Sequence, residues 1–283
     1  MKPVHRHIKT IINKELDNLV KLYPYNTRNF YDSGMLHASS MLSFYDYNTS
    51  LDASFYSKFL NLMAGMELLA LGIRTHSFNP DDFMLLVKDI KSAKTLNKKS
   101  IEKNAGKYTL DLLFGDIFYS RASVYIMKYC DHELFNTILE SLKSVHKNKL
   151  MLHQEMVEII KTARASNQDF MNNKIIDFIN ENEAIISGIN DLLKTSFITG
   201  WGIFCSFDNI NFPYSIINDF ILLKTYNDLE GFFEKLPAKF SYLKKAGFIQ
   251  ERKKAIKQNL AKRVGCLDPL WLKTNFLVLQ KQY

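Results

Sequence analysis

From Asp116 to Ser187 the chain runs seventy-two residues without one glycine or proline. No proline occurs between Asp81 and Phe212. Strand-rich folds need frequent turns, and turns draw on these two residues. Their absence over such a length predicts long helices. The apolar spacing agrees. Phe55, Phe59, Leu62, Met63, Met66, Leu69, Ala70 and Ile73 step by threes and fours, which gives one helical face. Leu134, Ile138, Leu142, Val145, Leu152, Met156 and Ile159 do the same. Asp131 stands where an N-cap belongs, and Glu133 suits the positive end of that helix dipole. Helices are expected near 4–22, 32–46, 52–74, 81–91, 104–130, 132–165, 169–181, 184–207, 214–234 and 238–262. The breaks at Pro24, Asn48-Thr49, Asn79-Pro80, Ser166-Asn167 and Asn211-Phe212-Pro213 are too short to be interdomain linkers. The expected fold is all-α, a single large bundle of about ten helices. Residues 236–283 are expected to form a basic helical extension packed on a 1–235 domain.

Composition narrows the function classes. Apolar residues make up 47% of the 283 positions and charged residues 23%, as in an ordinary globular chain rather than a disordered or fibrous one. Thirteen residues without a charge, Thr195 to Phe207, are too few to cross a bilayer, which takes about 20. No apolar block follows the charges of Lys2 and Arg6, so no secretory signal is read. Cys130, Cys205 and Cys266 are odd in number and far apart, the pattern of reduced thiols in a cytosolic protein. A cytoplasmic location is expected.

Signatures of familiar catalysis are missing: no GxGxxG, no Walker loop, no GxSxG and no HExxH. His146 and His153 lie seven apart on one helix face, whereas helical metal ligands sit three or four apart. They read as surface residues, as do His5 and His7. Lys plus Arg exceed Asp plus Glu by 37 − 29 = 8, and the excess gathers late in the chain. Lys244, Lys245, Arg252, Lys253, Lys254, Lys257, Lys262 and Arg263 face one acid there, Glu251. The plain reading is a solvated helix face. The sharper one is peripheral contact with anionic headgroups, at about 1 kcal/mol per basic residue near a membrane. No aromatic ladder interleaves these cations, which argues against nucleic acid.

Two stretches are distinctive together. Lys107-Tyr108-Thr109-Leu110-Asp111-Leu112-Leu113-Phe114-Gly115-Asp116-Ile117-Phe118-Tyr119-Ser120-Arg121-Ala122 resembles the "LAGDYLxxxA" helix of all-trans polyprenyl diphosphate synthases. Upstream, Met66-Glu67-Leu68-Leu69-Ala70-Leu71-Gly72-Ile73-Arg74-Thr75-His76 resembles the helix that ends in their first aspartate-rich motif. The run from Lys107 to about His153 and the segment Ser187 to Asp228 are similar to the small subunit, component one, of two-component heptaprenyl diphosphate synthases. The resemblance covers roughly residues 10 to 235 and implies an isoprenoid-synthase-like helical fold.

The departures carry more than the matches. The resemblance implies a family that binds Mg²⁺ through two DDxxD motifs, and Mg²⁺ wants carboxylate oxygens in near-octahedral geometry. After His76 the chain reads Ser77-Phe78-Asn79-Pro80-Asp81-Asp82-Phe83-Met84-Leu85, with Leu85 where the third acid belongs. Asp81-Asp82 reads either as metal ligands or, preferably, as a cap on the next helix. The second motif is reduced to Asn227-Asp228-Leu229-Glu230-Gly231. Losing acids at both places removes the electrostatic clamp on the departing diphosphate. Gly115-Asp116 is either a functional relic or, preferably, a packing device whose glycine costs about 1 kcal/mol against alanine in a helix. In Gly200-Trp201-Gly202 the small residues would admit a neighbouring helix, with Trp201 in a core or interface pocket.

The resemblance therefore implies a chain that is inactive alone, the non-catalytic subunit of a heterodimer. It would bind no cofactor itself, and Mg²⁺ would sit on the catalytic partner. It would stabilise that partner and help set product length, heptaprenyl being implied, for the menaquinone side chain. A growing tail needs a dry tunnel, because each isoprene buries five carbons at about 0.8 kcal/mol each. The 21 Phe, 14 Tyr and 10 Met are enough to wall one. Two other readings stay open: an active enzyme with unorthodox ligands among Asp81, Asp82, Asp228 and Glu230, and a helical scaffold that has lost the pathway.

Overall fold

A computed structural model describes residues 2–19, 21, 35–49, 51–76, 98–163, 168–205, 210–235 and 247–283. Among these residues there is no strand. The helices are α1 (Lys2–Leu19), α2 (Leu36–Leu42), α3 (Ala53–Thr75), α4 (Lys98–Met127), α5 (His132–Ala163) and α6 (Gln168–Glu181). They continue as α7 (Glu183–Ser187), α8 (Asp191–Phe204), α9 (Tyr214–Lys235), α10 (Phe248–Gly265) and α11 (Leu270–Gln280). The all-α expectation holds. Asp131 caps α5 as read from the sequence, its Oδ1 accepting from Leu134 N at 2.9 Å. Asp52 does the same for α3, accepting from Ser54 N and Phe55 N at 2.9 and 3.1 Å.

Two elements differ from the periodicity reading, and a third is not described. The helix expected over 184–207 is broken: Gly188–Asn190 tightens to a 3₁₀ turn between α7 and α8. Glycine is a poor helix former, and α8 restarts at Asp191, whose carboxylate accepts from Ser144 of α5. The last expected helix ended at 262 and left α11 unassigned. Its signal was present: Pro269 stands at the N-cap, and Leu272, Phe276 and Leu279 follow at four and three. The helix expected over 81–91, with Asp81 and Asp82, lies outside the described residues.

α3 is the central helix. Its apolar spacing predicted one buried face, yet every residue from Leu62 to Leu69 is buried, and so are Leu71, Gly72 and Ile73. A helix hydrophobic all round belongs in the middle of a bundle. It runs against α4, and the approach is close. A Cβ on Gly72 would lie 2.4 Å from the Tyr119 ring, and one on Gly115 would lie 1.7 Å from the His76 ring. Gly115 is thus a packing device, the preferred of its two readings. α1 is tied to the same pair: Arg121 Nε donates to Glu15 Oε2 at 2.6 Å and Tyr125 Oη donates to Glu15 Oε1 at 2.7 Å.

A second core lies around α9. Phe44, Phe197, Phe220 and Phe276 are fully buried, with centroids between 5.5 and 6.5 Å in the contacting pairs. These rings come from the residues after α2 and from α8, α9 and α11, so α11 completes a core begun near residue 44. Asn275 Nδ2 donates to Tyr45 O at 2.8 Å beside them. α10 is held to α9 by two of its cations: Lys253 meets Glu230 at 2.6 Å and Arg263 meets Asp219 at 2.6 Å. Arg252 donates to Asn180 of α6 at 2.8 Å. Part of the basic run therefore joins helices, a role the sequence reading did not weigh. Lys254, Lys257 and Lys262 are exposed, and Lys244 and Lys245 lie outside the described residues.

Gly200 and Gly202 give a matched test of packing. A Cβ on Gly200 would fall 2.5 Å from the Met41 Cα and O, which are backbone and cannot rotate away, whereas one on Gly202 would meet nothing within 4 Å. Between them Trp201 Nε1 donates to Ile210 O at 2.9 Å. Gly200→Ala is expected to lower the unfolding free energy by about 1–3 kcal/mol, the usual cost of overpacking. Gly202→Ala should be neutral or stabilising by up to about 1 kcal/mol. Urea unfolding of the two variants checks both.

Candidate functional site

A cavity of about 600 Å³ opens among α2, α3, α5, α8 and α9. That volume falls within the about 300–1,000 Å³ of small-molecule sites. α3 brings Glu67 and Arg74, α5 brings Lys149 and His153, and α9 brings Lys224, Asn227 and Asp228. Positions 224, 228 and 231 face it together because they step by four and three along α9. Leu152, Met156, Ile179, Leu193 and Phe233 add an apolar wall.

Burial perturbs Glu67, His37 and Lys149. Glu67 is 3% exposed, and its Oε1 accepts from Ala38 N at 2.9 Å in the first turn of α2. Burial pushes its carboxyl up to about 7, against the lowering pull of the Ala38 and His37 amides and of Arg74. His37 hydrogen-bonds Ser196 Oγ at 2.9 Å through Nδ1, and burial drives its pKa down to about 3. Lys149 Nζ lies 3.4 Å from Ile73 O at the C-terminal end of α3. Burial lowers its pKa to about 8; the charge of Asp228 resists this and that of Lys224 adds to it. Lys224 is ion-paired with Asp228, and Asn190 Nδ2 donates to the other oxygen of Asp228 at 3.3 Å.

The residues singled out from the sequence are only partly brought together. Asn227 and Asp228 line the cavity. Glu230 is turned to α10, where it meets Lys253 at 2.6 Å and also Gln250. His76 stacks edge-on against Tyr119 with centroids 4.9 Å apart. Its Nε2 lies 2.8 Å from Leu112 O and 3.4 Å from Asp116 Oδ1. The Asp116 side chain is 70% exposed, and Arg121 is spent on Glu15. None of His76, Gly115, Asp116 and Arg121 lines the cavity. His146, expected on the surface, is half-buried and lies 2.8 Å from the Tyr119 hydroxyl; His153 is half-buried at the cavity wall. Sequence reasoning missed Glu67, Lys149 and Lys224. Glu67 had a visible signal, a lone acid inside the apolar run Leu62 to Ile73, which demands a partner if the helix is buried.

No family model and no curated protein matches the chain. Among solved structures it is similar to octaprenyl pyrophosphate synthase from Helicobacter pylori, with a TM-score of 0.53 and 15% identity over 99% of this chain and 97% of that one. The match takes in α10 and α11, which the sequence resemblance did not reach. At that identity the likeness shows the fold, and the fold is that of a polyprenyl diphosphate synthase.

Mg²⁺, implied for the active family, needs several free carboxylate oxygens. Among the described residues no three His, Cys, Asp or Glu side chains come together as a metal group. The two acids at the cavity are committed elsewhere, Glu67 to a backbone amide and Asp228 to Lys224 and Asn190. Three cations share the space with them. This donor set does not fit Mg²⁺.

Glu67 makes folding sensitive to pH in a defined window. Its folded pKa lies above its ordinary value of 4.5, at about 7, so the folded chain holds the proton longer than the unfolded one. Its contribution to stability is present at low pH and is lost as pH rises from 4.5 through about 7. Relative to Glu67→Gln, the wild type should lose on the order of 3 kcal/mol over that window. Urea midpoints of both proteins between pH 4 and 8 check it.

Proposed function

We propose that this chain is the non-catalytic subunit of a heterodimeric long-chain all-trans polyprenyl diphosphate synthase. The observation that carries the reading is a polyprenyl-synthase fold kept along the whole chain, whose cavity gathers lysines and an arginine rather than a cluster of acids. The partner carries the aspartate-rich motifs and the Mg²⁺. The complex condenses isopentenyl diphosphate head to tail onto an allylic diphosphate. This subunit stabilises the partner and helps set the product length, heptaprenyl for the menaquinone side chain. The work takes place in the cytoplasm, where the exposed lysines of α10 allow contact with an anionic membrane surface.

One surface feature supports a partner. Leu113, Val124 and Met127 of α4 are 53%, 52% and 64% exposed. Their spacing of eleven and three puts them on one face of the helix. A row of large apolar side chains in water is what an interface would cover.

Condensation of allylic and isopentenyl diphosphates, assayed with this chain alone and mixed with the candidate catalytic subunit, tests the proposal. Turnover is expected only in the mixture, with a product of fixed length. Turnover by this chain alone overturns the proposal. Val124→Glu leaves the fold intact because Val124 is exposed, and it should weaken association at least about tenfold by burying a charge in the interface.

A further inference from the structure

A second pocket, of about 390 Å³, opens where the turn after α2, the C-terminal end of α8 and the start of α11 meet. It shares no lining residue with the larger cavity. Tyr45, Phe204 and Trp271 bring three half-buried aromatic side chains to its wall. Asp46 brings the one charge among the described lining residues.

The wall is fixed by its own bonds. Tyr45 Oη donates to Thr49 O at 2.8 Å, and Thr49 N donates to Asp46 O at 3.0 Å. Asp46 Oδ1 accepts from Asn48 N at 2.9 Å and from Asn48 Nδ2 at 3.0 Å. Asn275 of α11 holds Tyr45 O, and the Tyr45 ring lies against that of Phe204 with centroids 5.2 Å apart. Among the described residues no Lys or Arg pairs with Asp46.

The surroundings are free of positive side chains in a basic protein. Of the 37 Lys and Arg, none occurs from Asn29 to Ser57, from Thr195 to Leu223 or from Val264 to Leu272. Those three stretches supply every described lining residue. The helix ends do not decide the sign of the site, since α8 brings its negative end and α11 its positive end. The carboxylate and the rings decide it. Aromatic rings attract ammonium groups through their quadrupole, and a carboxylate adds a full charge. One carboxylate is too few for a hard divalent ion, which takes several oxygens.

We infer that this pocket binds a small alkylammonium cation. The nitrogen sits by Asp46 and the Tyr45, Phe204 and Trp271 rings, with alkyl groups against Leu51 and Ile210. This goes beyond the subunit reading and does not depend on it. It concerns binding and invokes no bond-making step. Primary and quaternary ammonium ions share this chemistry, and the number of alkyl groups on nitrogen separates them.

Calorimetric titration of the full chain with choline, butylammonium, 3,3-dimethylbutan-1-ol and 3,3-dimethylbutanoate tests the site. The alcohol has the shape of choline without its charge, and the carboxylate reverses the charge. One of the two cations is expected to bind one to one, and the tighter names the ammonium type. The alcohol and the carboxylate should bind at least about tenfold more weakly. Asp46→Asn keeps an oxygen that can accept from Asn48 and removes the charge. It should weaken the cation at least about fivefold and leave the alcohol unchanged. Trp271→Leu should weaken the cation by a similar factor, and Lys224→Gln, in the other cavity, should change nothing. Equal binding of the alcohol, tighter binding of the carboxylate, or no saturable binding of either cation at millimolar concentration would each overturn the site. So would indifference to Asp46→Asn, equal loss of cation and alcohol in that variant, retention of full affinity in Trp271→Leu, or a loss in Lys224→Gln.

Discussion

The close contact of α3 with α4 is the constraint on which the rest of the bundle is built. A helix buried on every side needs neighbours on every side, and the nearest must come within a side chain's thickness. Gly72 admits the Tyr119 ring, and Gly115 admits the His76 ring. That approach lets Arg121 and Tyr125 reach Glu15 and hold α1 across the same pair. It also fixes the C-terminal end of α3, where Ile73 O meets Lys149 of α5.

Much of the fold was legible because its signals are local. The long stretch without glycine or proline becomes α5 and its neighbours, and Asp131 caps where a short polar residue before an apolar run should. The reading failed where tertiary contacts decide. Spacing marked one face of α3, but its burial from Leu62 to Leu69 depends on what packs against the other faces. Gly188–Asn190 breaks a segment whose apolar pattern continues through it. α11 carries a local signal of its own, Pro269 followed by Leu272, Phe276 and Leu279 at helical spacing.

The site was less legible than the fold for a definite reason. Residue type marks the motif positions as acids, and Asp228 does face the cavity. What changes its meaning is Lys224, one turn earlier on the same helix and ion-paired to it, together with Lys149 from a helix far away in sequence. A lysine in an amphipathic helix looks like a solvated residue until the partner helix is known. Conversely, Asp116 and Glu230 look like motif acids, and one faces water while the other secures α10. Residue type gives chemistry; only the packing gives direction.

The four-phenylalanine core has a consequence for how the chain reaches this structure. Asn275 and Tyr45, which bond beside it, are 230 positions apart in sequence. Contacts of such separation are slow to form, because a long loop must close before they reward it. On the ribosome, Phe44, Phe197 and Phe220 emerge well before Phe276 is made. Until α11 arrives, three large aromatic side chains have no lid, and a partly made chain exposes them to its neighbours. α11 is thus the element whose arrival closes a core begun 230 positions earlier.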